Sequence, residues 1–92
     1  MIMPADGMTW ALGHHPRHGL VVGKVTGWRI TRRGVKAVIN YERVPHGWQP
    51  EKILRGTPTE IAEVAWLMER ADLAGVKTKE QYISEAVITL LE

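Results

Sequence analysis

LVVGKVTGWRITRRGVKAVINYERV, residues 20–44, decides the fold of this chain. Its second half alternates cleanly. Val35, Ala37, Ile39 and Tyr41 share one parity, while Lys36, Asn40 and Glu42 share the other with Val38. That period of two predicts a half-buried strand. Upstream, Leu20, Val22, Trp28 and Ile30 fall on one parity, and Val21 and Val25 fall on the other. Gly23 and Gly27 stand between them, which predicts a strongly bent strand, a bulge or a close crossing. Arg32-Arg33-Gly34 supplies the turn, with Gly34 free to take a positive φ in a three-residue hairpin loop. The stretch therefore reads as one antiparallel hairpin from about Leu20 to Val44.

Outward from the hairpin the organisation changes twice. Residues 1–19 contain Pro4, Gly7, Gly13, Pro16 and Gly19 and keep no period, so they read as an irregular N-terminal segment anchored by Trp10 and Leu12. After the break at Pro45-His46-Gly47, residues 48–55 read as a short strand, or a 3₁₀ turn leading into one. Residues 56–92 are helical. Thr57-Pro58-Thr59-Glu60 is a capping box with proline at the first helical position, followed by Ile61, Val64, Ala65, Met68 and Ala71 at helical spacing. Trp66 and Leu67 broaden that face, and Gly75 is placed to end a helix of roughly 17 residues. Thr78-Lys79-Glu80-Gln81 is a second capping box. It opens a helix of roughly 14 residues that carries Tyr82, Ile83, Ala86, Val87, Leu90 and Leu91 on one stripe. The expected fold class is α+β: a small antiparallel sheet or SH3-like barrel followed by two amphipathic helices. The helical region, residues 56–92, either packs into one small domain with the rest or serves as a dimerisation element.

Ninety-two residues bury roughly 60–65% of their extended surface at best, so a partner subunit would help such a small core. With no cysteine there is neither a disulfide framework nor a thiolate zinc site. No stretch approaches the ~20 apolar residues that span a bilayer. The start, MIMPADGM, carries no basic leader pattern. A cytoplasmic protein without a membrane partner is the expectation.

Charge is divided unevenly. Residues 1–55 hold nine Lys/Arg against three Asp/Glu, whereas residues 56–92 hold three against seven. The basic half is where a polyanion would sit. Lys24, Arg29, Arg32, Arg33 and Lys36 cluster on or beside the hairpin, and they are the candidate nucleic-acid contacts. Trp28 beside them would stack on an unpaired base or pack under the arginine stems. The competing expectation is an interaction surface built on Trp28, Trp48, Tyr82, Leu90 and Leu91, with a protein partner or a second copy of the chain.

Catalytic and metal chemistry find little support. The one serine, Ser84, lies inside the last helix with no histidine near it in sequence. Glu60, Glu63, Glu69, Asp72, Glu80 and Glu85 occupy positions where helix first turns and solvated faces ordinarily hold acids. No GxGxxG, Walker or HExxH pattern occurs. His14, His15 and His18 lack the fourth ligand of structural zinc, and Asp6 is the only carboxylate before Glu42. They read as a solvated segment or as phosphate contacts beside Arg17. No enzyme, no metal and no cofactor are expected.

Two resemblances extend this reading. From about Glu51 to Glu92, a short strand, a proline-started helix, a glycine turn and Thr-Lys-Glu-Gln-Tyr-Ile-Ser-Glu-Ala-Val resemble the ribbon–helix–helix repressors. The resemblance implies an intertwined dimer that regulates transcription, with Lys52, Ile53 or Leu54, and Arg55 in a paired β-ribbon. It also makes Thr78 and Lys79 phosphate contacts. Residues 20–55, with their bent strand, basic hairpin and Gly-Trp-Gln-Pro-Glu close, are similar to small SH3-like barrels of the chromo or integrase-tail type. Together these point to a small, non-enzymatic nucleic-acid-binding accessory or regulatory protein, with DNA favoured over RNA. The alternative is a protein-interaction or assembly module.

Overall fold

One long strand organises the first 55 residues of the computed structural model, which describes residues 1–70, 75 and 77–92. Among these residues there are five strands: β1 (Ile2–Pro4), β2 (Thr9–His15), β3 (Gly19–Thr31), β4 (Gly34–Ile39) and β5 (Lys52–Arg55). A 3₁₀ turn, Tyr41–Arg43, follows β4, and two helices, α1 (Pro58–Glu69) and α2 (Lys79–Leu91), come last. The fold is α+β, an antiparallel sheet followed by two helices. It divides into two compact units, Met1–Arg55 and Gly56–Glu92. Ala71 of the expected apolar stripe and Asp72 lie outside the described residues.

Every strand pairing is antiparallel, and β3 takes part in three of them. Its first half faces β2, from Trp10 opposite Lys24 to His15 opposite Gly19. Its second half faces β4, and β1 opposite residues 27–29. Pro4 stands opposite Gly27 while Trp10 stands opposite Lys24, so the chain between β1 and β2 carries extra residues that the ladder does not use. Asp6 holds that break together. Its carboxylate accepts from Met8 N at 2.8 Å and Thr9 Oγ1 at 2.9 Å, and it pairs with Arg55 on β5. These donors, the Met8 amide first, hold the Asp6 carboxyl below its usual range.

Residues 1–19 are therefore not the irregular segment that their composition suggests. Thr9–Gly13 are buried in an unbroken run. Local propensity loses here because β2 is laddered on two sides, to β3 and to β5, so distant partners satisfy its backbone. Gly13 is required rather than tolerated: a Cβ there would overlap the Gln49 carbonyl and lie 3.0 Å from Trp48 Nε1. Trp48 Nε1 donates to the Gly13 carbonyl at 2.9 Å in a buried bond. The indole thus closes over the core formed by Ala11, Val25 and Ile39, with Val21, Trp28, Ala37 and Val44 packed around it.

The hairpin differs from expectation at both ends. Thr31 pairs directly with Gly34, so Arg32-Arg33 is a two-residue connection rather than a three-residue loop. Gly34 takes φ 129°, and the Thr31 hydroxyl ties the turn by accepting from Arg33 N and donating to Gly34 O. β4 stops at Ile39 instead of running to Val44, because Asn40 Oδ1 accepts from Glu42 N and caps the 3₁₀ turn.

Both family resemblances are overturned by the pairing. The sheet runs β1-β3-β2-β5 with β4 on β3, and no pairing among the described residues joins β4 to β5. It stays open, and no SH3-like barrel forms. The strand required for a ribbon–helix–helix dimer, β5, is laddered within its own chain: Thr9 faces Arg55, and Leu12 faces Lys52. The implied intertwined dimer and its DNA-reading ribbon go with it.

In the second unit both capping boxes form. Thr57 Oγ1 accepts from Glu60 N at 3.2 Å, and Glu60 Oε1 accepts from Thr57 N at 3.0 Å. Thr78 and Gln81 repeat the exchange at 3.2 and 3.1 Å. The helix α1 ends earlier than Gly75, at Glu69, because Arg70 adopts the left-handed conformation (φ 55°) and its N–H turns back to Leu67 and Trp66. α1 and α2 pack on each other. Trp66 meets Tyr82 edge-on, with ring centroids 5.4 Å apart.

Candidate nucleic-acid interface

The cations of the hairpin acquire their arrangement from a register fault. Val25 faces Ile39, but Gly27 faces Val38, so two steps along β3 match one along β4. That bulge exchanges the two faces of the strand. Before it, Val21, Gly23 and Val25 point to the core. After it, Trp28 does, opposite Ala37, and Ile30 and Val35 continue that side of the hairpin beyond the core. The single parity that joined Leu20 and Val22 to Trp28 and Ile30 in the sequence is broken at this point.

The opposite face is changed in the same way. By parity alone Lys24 and Arg29 point to opposite sides of a strand. With the bulge between them, they share the face turned away from the Val25–Trp48 core. Lys36 stands directly opposite Arg29 and joins them. All three are exposed, as are Arg32 and Arg33 at the turn. Ion pairs join His14 to Glu51, Arg55 to Asp6 and Lys77 to Glu85, and none of these includes Lys24, Arg29, Arg32, Arg33 or Lys36. Lys24 lies over the Trp10 ring, 5.7 Å from its centroid. Arg29 and Lys36 are cross-strand neighbours, whose Cβ atoms in such pairs lie ~4.5–5.5 Å apart. Two like charges so placed repel, and the sheet supplies no carboxylate to offset them.

The remaining predicted site residues are dispersed. Trp28 is half-buried on the core side, away from Arg29 and Lys36, so it is not placed to stack on a base held by them. Trp48, expected at an interface, is 3% exposed and belongs to the core, with its one polar atom already bonded. Tyr82 is half-buried, packs on Trp66 and donates to Glu69 Oε2 at 2.9 Å. Burial pushes its phenol well above the usual range, and the Glu69 carboxylate adds to the effect. Leu90 is half-buried, while Leu91 is exposed. Lys79 belongs to the helical unit, where it is the exposed first residue of α2.

The histidines have structural partners. His14 donates through its amide and shares its Nδ1 with Glu51 Oε1, both at 2.9 Å, and these contacts hold Glu51 below its usual pKa. His15 Nδ1 accepts from Arg17 N at 3.1 Å, so Nε2, 2.9 Å from the His46 carbonyl, carries the proton. Among the described residues, no group of three or more His, Cys, Asp or Glu is arranged to hold a metal ion. No helix among them is long and apolar enough to cross a membrane.

The sequence reading identified the hairpin cations individually but missed their shared face. The signal available was Gly27 two residues after Val25, which is compatible with a bulge but does not locate it. No protein-family model, curated protein or solved structure matches the chain.

Proposed function

We propose that this protein is a small cytoplasmic nucleic-acid-binding accessory protein that holds the phosphate backbone with the β3–β4 hairpin. The observation that carries this reading is the bulge-assembled face of Lys24, Arg29 and Lys36, continued at the turn by Arg32 and Arg33, with no carboxylate paired to any of them. A like-charged cross-strand pair disfavours the free sheet and is relieved when phosphates lie against it. Lysine and arginine that displace condensed counterions give affinity that falls steeply with salt.

The test is fluorescence anisotropy of labelled DNA and RNA, titrated with the wild-type protein and with the Arg32→Glu/Arg33→Glu variant. The wild type should bind in a strongly salt-dependent manner, and the variant at least about tenfold more weakly. Equal affinities would remove the turn from the interface.

A second reading, a protein-interaction module, draws on one observation. Ile30 and Val35 pair on the other side of the same hairpin and are 40% and 62% exposed, and Met3, opposite Trp28, is 49% exposed. Nuclease treatment separates the two. A complex captured from lysate that survives nuclease, without nucleic-acid binding at low salt, would favour this second reading.

A further inference from the structure

Resting on the reading of the hairpin as a phosphate-binding element, we infer that its ligand is double-stranded rather than single-stranded nucleic acid. The inference comes from where the aromatic side chains are. Proteins that hold single strands without sequence preference combine a cationic track with aromatic platforms on which successive bases stack. The cationic face here has none. Trp28 lies on the opposite face, packed on the Val25–Trp48 core. Trp10, beneath Lys24, is 3% exposed and offers a base no open ring. Tyr41 is exposed, but it sits in the 3₁₀ turn beyond β4, five residues past Lys36, and would be a single platform.

What remains is backbone electrostatics on a paired strand, and that favours the ligand with the greater charge density. From Lys24 to the Arg32-Arg33 turn the strand extends ~25 Å at ~3.3 Å per residue. A duplex presents one charge per ~1.7 Å of axis, so the cations span about seven base pairs of phosphates. Five contacts give a log–log salt slope of about −4.5 on a duplex and about −3.5 on a single strand. Were the two affinities equal at 1 M salt, that difference would make the duplex about twentyfold tighter at 50 mM.

The experiment titrates the full chain into a labelled 16-base-pair duplex and, separately, into each of its strands, as DNA and as RNA, from 50 to 300 mM salt. The expected result is tighter duplex binding by on the order of tenfold or more at 50 mM, with the steeper slope. Trp28→Leu, which keeps an apolar contact with the core, should leave both affinities unchanged. Single strands bound as tightly as the duplex, or weakened by Trp28→Leu, would overturn the inference while leaving nucleic-acid binding in place. Failure of every probe to bind at 50 mM would overturn the proposed function itself, and this inference with it.

Discussion

Reversing the charge of Lys36 should make the protein more stable and less able to bind. Arg29 and Lys36 are direct cross-strand partners, both exposed and without a carboxylate partner. For charged ends on the order of 7 Å apart, the repulsion is about 0.6 kcal/mol in water before screening. Ionic screening reduces this to about 0.4 kcal/mol at 20 mM salt and to less than about 0.1 kcal/mol at 1 M. Lys36→Glu converts the repulsion into an attraction of similar size. The expected gain is therefore about 0.8 kcal/mol at 20 mM and about 0.1 kcal/mol at 1 M. For a domain of this size that is about 3–6 °C in Tm at low salt. Denaturation followed by tryptophan fluorescence is weighted toward the sheet unit, which holds three of the four tryptophans, Trp10, Trp28 and Trp48. The same substitution should lower duplex affinity about tenfold or more and reduce the salt slope by about 1. A destabilised variant, a gain that persists at 1 M salt, or an unchanged affinity would refute the reasoning that this pair is left unneutralised for a polyanion.

Trp48→Phe removes the donor to the buried Gly13 carbonyl and should cost about 1–3 kcal/mol, read by urea denaturation with circular dichroism. Gly13→Ala drives a methyl into the Gln49 carbonyl on a buried strand and should cost about 1–3 kcal/mol or prevent accumulation of folded protein, checked by soluble yield and thermal melts. Asp6, Glu51 and Glu60 all have folded-state pKa values below their ordinary 3.8, 4.5 and 4.5. Depressed carboxylates contribute stability that is present above those ordinary values and lost as pH falls through the lower folded ones, so acid melts from pH 5 downward should show progressive destabilisation. Glu60→Gln, which keeps an acceptor in the capping box, should flatten part of that decline. Thr57→Ala should lower helical-unit stability by about 1 kcal/mol at neutral pH, read by circular dichroism at 222 nm.

Much of the helical unit was legible in advance because its signals are local. Thr57-Pro58-Thr59-Glu60 and Thr78-Lys79-Glu80-Gln81 satisfy orphan amides within four residues, and both boxes form as their spacing requires. The end of α1 was not legible, since Arg70 takes a left-handed conformation that glycine usually supplies. In the sheet unit, β2 was invisible. A run containing Gly13 and flanked by Pro4 and Pro16 carries no strand period, and only its pairing with β3 and β5 makes it one. The bond that buries Trp48 was not legible either, because nothing near it in the chain shows that Gly13, thirty-five residues earlier, leaves room for its ring.

Taken alone, the sequence determines the class of the fold, the helix starts, the position of the hairpin turn and the separation of a basic part from an acidic one. Each rests on composition or on contacts a few residues apart. The tertiary structure decides which cations act together. Parity sends Lys24 and Arg29 to opposite sides, and the bulge between Val25 and Gly27 brings them to one side with Lys36. Strand register is a non-local quantity, set by where two segments meet. A slip of one residue there changes the face of every side chain beyond it.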